Sequence, residues 1–374
     1  MSQDNPIRVA QVMGKMLGGG VETVVMNYYR RIDRSRVQFD FLVDSDSTLV
    51  PREEIESLGG RVFDIPPYQH ILEYQRELQR LFKQEHWIIV HSHINALSVF
   101  PLRAAKMAGV PVRIAHSHST AGKGEHAKNF LKDVLKTQAN RYPTHRFACS
   151  KYAGEWLFGR GADFDVIYNA IDLARFSFDA EARARVRAEL GLGGDQFVIG
   201  HVGRFTAQKN HGFLLRIFKE VLAIEPDSVL LLVGSGPLRN QTEALANDLG
   251  LASHVCFLGQ RSDIPSLYQA FDALCLPSLY EGLPMVGVEC QASGTPILVS
   301  SEVTEETACT SLMEFESLSS SPEVWARHLR SLSRLRAAAS DLDNLKKFDI
   351  RIAASCLVDR YESFFDGEGA SNES

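Results

Sequence analysis

Across 374 residues, no uninterrupted apolar run approaches the roughly 18 positions that a membrane-spanning helix requires. The N-terminus, "MSQDNPIRVAQV", is polar and passes straight into a strand-like pattern, without the charged and apolar regions of a secretory signal. The chain is therefore expected to be cytoplasmic, with any membrane contact peripheral. Cysteine pairs are also missing: Cys149, Cys256, Cys275, Cys290, Cys309 and Cys356 are scattered, with no Cys-x-x-Cys and no metal-like spacing. They read as small apolar residues in a reducing compartment rather than as a disulfide framework. There is no excess of positive charge, the formal net charge being -6, which argues against a nucleic-acid binder as a whole. Low-complexity sequence is confined to the terminal "DGEGASNES", expected to be disordered.

What is present is an ordinary globular composition, 45% hydrophobic and 23% charged, on a chain long enough for two domains. "IRVAQV", "FDFLV", "RVFDI", "WIIVHS", "VRIAHS" and "RFACS" read as strands in the first half, alternating with helical patterns such as "VETVVMNYYRRI". The same rhythm restarts with "FVIGHVG", "SVLLLVG", "VCFLG", "ALCLPS" and "PILVSS". Nearly continuous β-branched runs alternating with helices imply parallel sheets covered on both faces, hence two doubly wound α/β domains. The boundaries are read as 1–175, 176–345 and a helical tail, 346–374, free to rest on either half.

Open parallel sheets bind ligands beyond the carboxyl ends of their strands, so the chemistry is sought there. After "FVIGHVG" comes "RFTAQKNHG", where Arg204 and Lys209 offer one anion a planar fork and a compact charge. The plain alternative is two solvated cations on a loop. After "ALCLPS" comes "LYEGLPMVGVECQ": Pro284 is read as the first helical residue, and the amides around Gly282, Leu283 and Met285 form an anion site at a helix N-terminus. Glu281 precedes that site and Glu289 lies two turns in. A carboxylate beside a phosphate site makes sense as an acceptor for hydroxyls, one acid for a sugar and one for a ribose. The plain alternative is a dipole-favoured helix-start acid and an exposed one.

Taken together, "GGGVETVVMN", "VIYNAIDLARF", "GRFTAQKN", "LLLVGSGPL" and "FLGQRSDIPSLYQAFDALCLPSLYEGLPMVGVECQASGTPIL" resemble the retaining glycosyltransferases of family 4, in particular bacterial exopolysaccharide enzymes. The resemblance implies the GT-B fold: two Rossmann-like domains facing a cleft, with the C-terminal helix crossing back to the first. It implies a nucleotide sugar on the second domain and an acceptor on the first. Carried over, Arg204 and Lys209 match the diphosphate cations, Glu281 the acid near the donor sugar, and Glu289 the ribose acid. Gly19 and Gly20 match the glycine loop that approaches the phosphates, where a side chain would obstruct. The segment "EVTEETACTSLMEF" departs from the family by lacking a glycine-rich stretch at the donor-site rim.

Two His-x-His pairs, His91/His93 and His116/His118, sit at first-domain strand ends. His118 falls where the family places a histidine near the reacting sugar, and His93 is assigned to the acceptor side. Strand-end histidines are also common structural residues, and a metal site is set aside because no carboxylate or thiol completes the set. Asp-x-Asp occurs at Asp44–Asp46, Asp163–Asp165 and Asp341–Asp343, none beside the anion loops, so no metal or other cofactor is expected. Finally, Lys128, Lys132 and Lys136 recur every four residues, forming a basic stripe read either as a solvated helix face or as a surface for anionic headgroups or a lipid-linked acceptor. A dehydrogenase is disfavoured because "GSGP" lacks a third glycine. The resulting expectation is a metal-independent, retaining transferase. It would use a UDP-sugar and a glycan or lipid-linked acceptor. A sugar-nucleotide epimerase of the same fold is the alternative.

Overall fold

The computed structural model describes residues 5–118, 135–333 and 339–371. The chain forms two units, residues 1–171 with 347–374, and residues 172–346. The first division falls after Ile171 rather than after residue 175. The outgoing and returning segments of the chain bond to each other there: Ile171 N–H donates to Phe348 O (2.9 Å) and Ile350 N–H to Ile171 O (2.9 Å). Those reciprocal bonds keep both crossings in the first unit.

The first unit is built on a parallel sheet of β1 (Ile7–Gly14), β2 (Val37–Asp44), β3 (Arg61–Ile65), β4 (Ile89–Ser92), β5 (Val112–Ser117), β6 (His145–Ala148) and β7 (Asp165–Val166), in the order β3-β2-β1-β4-β5-β6-β7. β7, which the sequence pattern does not announce, is a two-residue, half-buried edge strand with almost no apolar signature. The core mixes sheet residues such as Val12, Leu42 and Val90 with Tyr74, Leu78 and Phe82 of the helix Ile71–Glu85. That helix repeats its apolar residues at helical spacing, so burial of one face is the expected outcome.

The C-terminal helix, Ile350–Ser371, belongs to this unit. It buries Leu357, Val358 and Tyr361, and Arg36 holds it by donating to Asp359 (2.8 Å) and Glu362. The tail expected to be disordered is helical as far as Ser371, because an anchored helix propagates into polar sequence at little further cost.

The second unit carries β8 (Val198–Val202), β9 (Val229–Val233), β10 (Val255–Gly259), β11 (Ala273–Leu276), β12 (Ile297–Ser300) and β13 (Met313–Glu316), all parallel, in the order β10-β9-β8-β11-β12-β13. β13, "MEFE", is a mostly polar edge strand whose composition hides it. Leu214, Ile217 and Phe218 pack with Trp325, Leu329 and Leu232 in its core.

The glycines of "GSGP" serve backbone packing. The loop after β9 lies against the loop after β8: Phe205 N–H donates to Ser235 O (3.0 Å) and Leu238 N–H to Phe205 O (3.0 Å). Gly234, at φ +140, and Gly236, at φ +155, sit so close that a Cβ would meet Gly203 O at 2.1 Å and Phe205 O at 2.6 Å. Both the conformation and the contact forbid a side chain. Gly234→Val is expected to cost about 2–4 kcal/mol, through strain and overpacking, and to lower the unfolding transition of the second unit in calorimetry.

Candidate functional site

In each sheet the strand order reverses once, between β1 and β4 and between β8 and β11, and such switch points are where doubly wound sheets open for ligands. Lys209, Glu281 and the His-x-His pairs follow or end strands beside these two places.

In the second unit, β8 leads into a loop that ends at Asn210, whose left-handed backbone (φ +55) starts the helix His211–Ile224. This turn presents Lys209 to Glu281, which follows β11: Nζ lies 2.6 Å from Glu281 Oε1, with only 14% and 9% of the two side chains exposed. Gln208 Nε2 donates to Glu281 Oε2 (3.1 Å) and to Tyr280 O (3.0 Å), and Leu279 N–H donates to Gln208 O (2.8 Å). Both carboxylate oxygens of Glu281 are thus occupied. Gln208 is a member that sequence reasoning missed, its only signal being adjacency to Lys209. Gly203 belongs here too, since a Cβ on it would press on Lys209 Cε at 3.1 Å. Arg204 is exposed, and among the described residues no ion pair joins it to Glu281.

Beyond Glu281 the chain passes through buried Gly282, Leu283 and Pro284 into the helix Met285–Ala292. Pro284 caps this helix rather than opening it. Its ring fixes φ at -71, but ψ is 121, so the backbone is still extended and helical geometry begins at Met285. The half-buried Met285 and Val286 fall in the first turn, whose N–H groups have no intrahelical acceptor. Glu289 is not simply exposed. Its Oε2 accepts from the hydroxyl of buried Tyr268 (2.8 Å), and burial raises its carboxyl to about pKa 7 against a smaller lowering by that bond.

In the first unit, Gly19 caps the helix Gly20–Arg31. The Glu22 carboxylate accepts from Gly19 N–H (2.7 Å) and Leu17 N–H (2.9 Å), which folds the loop on itself. A Cβ on Gly20 would meet nothing within 4 Å, and one on Gly19 only Glu22 at 3.6 Å. The chain's own packing therefore does not explain glycine at either position.

The four strand-end histidines come together, buried, at the ends of β4 and β5. His93 Nδ1 and His118 Nε2 are 2.9 Å apart, and His91 Nε2 and His116 Nδ1 are 3.1 Å apart. Gln11 of β1 and Tyr361 of the C-terminal helix complete the group, with His93 Nε2 2.7 Å from Gln11 Oε1 and His91 Nδ1 2.7 Å from the Tyr361 hydroxyl. Sequence reading did not find these two partners, because one lies 350 positions from the other. A cavity of about 20 Å³, room for roughly one water, lies among these side chains. Burial keeps His91, His93 and His116 neutral, well below the usual imidazole range, and lowers His118 to about pKa 3 against an upward pull from Asn169. His91, His93 and His116 can offer donor atoms within 4.8 Å of one another, so three imidazoles converge without the carboxylate or thiol whose absence set a metal site aside in the sequence.

Of the basic stripe, Lys128 and Lys132 lie outside the described residues. Lys136 is half-buried with Nζ 4.4 Å above the Trp156 ring, a cation–π contact rather than a freely solvated charge. No helix among the described residues is long and apolar enough to cross a membrane.

Two Rossmann-like parallel-sheet units, each opening at a switch point, are the architecture of the GT-B fold, and the comparisons agree. A model of "Glycosyltransferase Family 4" matches residues 18–175, and one of "Glycosyl transferases group 1" matches residues 182–332. The chain belongs to this glycosyltransferase family. It is 39% identical over 343 residues to "Putative glycosyltransferase EpsF" of Bacillus subtilis (strain 168), covering 89% of this chain and 88% of that protein. It is 28% identical over 316 residues to the UDP-Gal:alpha-D-GlcNAc-diphosphoundecaprenol alpha-1,3-galactosyltransferase of Escherichia coli, covering 80% of each. The crystal structure of Anabaena Alr3699/HepE in complex with UDP-glucose shares the fold, with a TM-score of 0.79 and 18% identity over 95% of this chain and 99% of that one.

The buried histidines make the stability of the first unit pH-dependent. Their folded pKa values lie below the unfolded value of 6.5, so the unfolded chain takes up protons that the folded one refuses. Stability is present above pH 6.5 and is lost as the pH falls below it, by up to about 1.4 kcal/mol per pH unit for each histidine. Urea unfolding at pH 7.5 and 5.5 is expected to show the loss, and His116→Phe a shallower one.

Proposed function

We propose that this glycosyltransferase moves a sugar from a UDP-sugar to a hydroxyl of a lipid-diphosphate-linked glycan, with retention and without a metal on the diphosphate, in exopolysaccharide assembly at the inner face of the cell membrane. The observation that carries the reading is the Lys209–Glu281–Gln208 group beside the amide-ended helix Met285–Ala292. An ammonium has three protons, and Glu281 takes one, which leaves two for diphosphate oxygens. Met285 and Val286 amides, with the helix dipole, add fixed positive potential that needs no reorganisation. Arg204, exposed on its flexible stem, supplies a second cation from the same loop.

Lys209 engaged by phosphate would loosen its hold on Glu281, freeing that carboxylate to accept a hydroxyl of the donor sugar. Glu289 would accept the ribose hydroxyls from the far end of the nucleotide. Gly19 and Gly20, unconstrained by the chain's own side chains, would keep their loop low beside the phosphates. His118 would face the reacting sugar, and His93 and the Lys136 region the acceptor. The leaving diphosphate would depart from the face that the acceptor hydroxyl attacks, which retains the anomeric configuration. UDP as the nucleotide, and a diphosphate lipid as the acceptor anchor, are supported by the Escherichia coli relative's activity and by the UDP-glucose bound to the Anabaena protein.

Incubation with radiolabelled UDP-galactose or UDP-glucose and a short-chain prenyl-diphosphate saccharide is expected to give an α-linked product in excess chelator. A β-linked product, isomerised donor without transfer, or full loss of turnover restored by magnesium or manganese would overturn the corresponding part. In the same assay Lys209→Ala is expected to lower turnover roughly 100-fold or more.

Glu289 gives the donor site a pH dependence. Its folded pKa of about 7 means that the carboxylate needed by ribose hydroxyls is mostly protonated at pH 6 and mostly ionised at pH 8. UDP affinity measured by calorimetry is expected to tighten about tenfold across that interval, following the ionised fraction. Glu289→Gln is expected to flatten the profile. Because a raised carboxyl pKa favours folding on the acid side, stability from Glu289 is lost as the pH rises through about 4.5 to 7. The glutamine variant is therefore expected to unfold at higher urea than wild type at pH 8.

A further inference from the structure

Six buried side chains of the first unit stand in single file, with His118 at one end. His118 Nε2 meets His93 Nδ1 at 2.9 Å, and His93 Nε2 meets Gln11 Oε1 at 2.7 Å. Gln11 Nε2 meets the Tyr361 hydroxyl at 3.3 Å, that hydroxyl meets His91 Nδ1 at 2.7 Å, and His91 Nε2 meets His116 Nδ1 at 3.1 Å. Each link can contain one proton only.

With the Gln11 amide oriented so that Oε1 faces His93 and Nε2 faces Tyr361, the proton count fixes every ring. Burial keeps each imidazole neutral, so each has one N–H and one lone pair. Gln11 Oε1 can only accept, so His93 carries its proton on Nε2. His93 Nδ1 is then a lone pair, and His118 must donate to it from Nε2. On the other side the Gln11 amide can only donate to the Tyr361 oxygen. Tyr361 spends its single proton on His91 Nδ1, and His91 donates from Nε2 to His116. Turning the amide over would reverse all five links together.

We infer that the Gln11 amide and the Tyr361 hydroxyl are positioning groups that set the tautomer of His118, a role that rests on the proposed place of that ring beside the reacting sugar. They hold its Nδ1, a buried nitrogen that no link uses, as a lone pair. A base or acceptor needs that form, whereas the opposite tautomer presents an N–H there. Neither residue touches the reacting atoms in this arrangement. Tyr361 reaches the group from the C-terminal helix, and Gln11 from the middle of β1. Both are fully buried, so bulk solvent does not reach them. The other end of the file, His116 Nε2, has no hydrogen-bond partner among the described residues, so direction is imposed from the centre rather than from the ends.

Nitrogen-15 NMR of the full chain labelled in histidine reads the tautomers directly. Wild type is expected to show His118 and His93 as single Nε2–H forms. Gln11→Met, similar in length but unable to donate or accept as the amide does, is expected to give His118 a mixture of tautomers. It should lower turnover about 10-fold or more with UDP affinity unchanged within about twofold. Tyr361→Phe leaves the His93 and Gln11 links in place. It is expected to release His91 from its single form and to produce a smaller loss of turnover. A single, unaltered His118 tautomer in a folded Gln11→Met protein would overturn the inference. So would wild-type turnover in that variant, or one equivalent of zinc found in the purified protein by elemental analysis, since a metal would occupy the lone pairs that the links use. His118→Ala with undiminished turnover would instead refute the role given to His118, and the NMR result would stand separately.

Discussion

A lysine and a glutamate held 2.6 Å apart, each with little exposure, are stable only together, since either alone would be a poorly solvated charge. That mutual requirement ties the loop after β8 to the loop after β11. Gln208 strengthens the tie with two donated bonds, and the glycines after β9 let a third loop close over the first. The consequence is a single edge made from three loops tied to one another, the edge proposed above to bind the diphosphate. Preorganisation of this kind matters because a site that must reorganise as charge develops forfeits much of its stabilising effect.

The two units solve the same problem with different groups. Each opens at the reversal of a parallel sheet, where backbone groups at the strand ends converge without a crossover helix above them. The second unit fills that opening with full charges and helix amides. The first fills it with neutral imidazoles, an amide and a phenol, all able to orient protons but carrying no net charge. In the reaction proposed above, a hydroxyl nucleophile and a sugar would be better served by the latter, since fixed charge there would compete with the diphosphate for counter-charges.

Much of this was legible in the chain. Alternating β-branched runs and helical periods announce the two parallel sheets, because strands buried on both faces leave no polar positions to blur the signal. Glu281, Lys209 and the His-x-His pairs stand out because charged or titratable residues directly after such strands have few structural reasons to be there. The edge strands β7 and β13 were hidden, being short, half-exposed and polar. The pairing of Lys209 with Glu281 was hidden as well, since 72 positions separate them. Arg204 is legible only as a cation of the same loop: the structure leaves it exposed, whereas Lys209 is held by Glu281.

The bonds between Ile171 and the segment Phe348–Ile350 mean that the first unit is discontinuous in the chain, with the whole of the second unit inserted into it. During synthesis, at about 5–20 residues per second, the second unit is complete and can fold before the last helix leaves the ribosome. Until then β1 to β7 have no Tyr361, no cover from Leu357 and Val358, and no acidic partner for Arg36. The nascent first half is thus a sheet with its histidine file cut in the middle, and its closure waits for residues 347–374. A premature stop after residue 346 would therefore leave one finished unit and one exposed sheet, and the cell's quality control would meet the second.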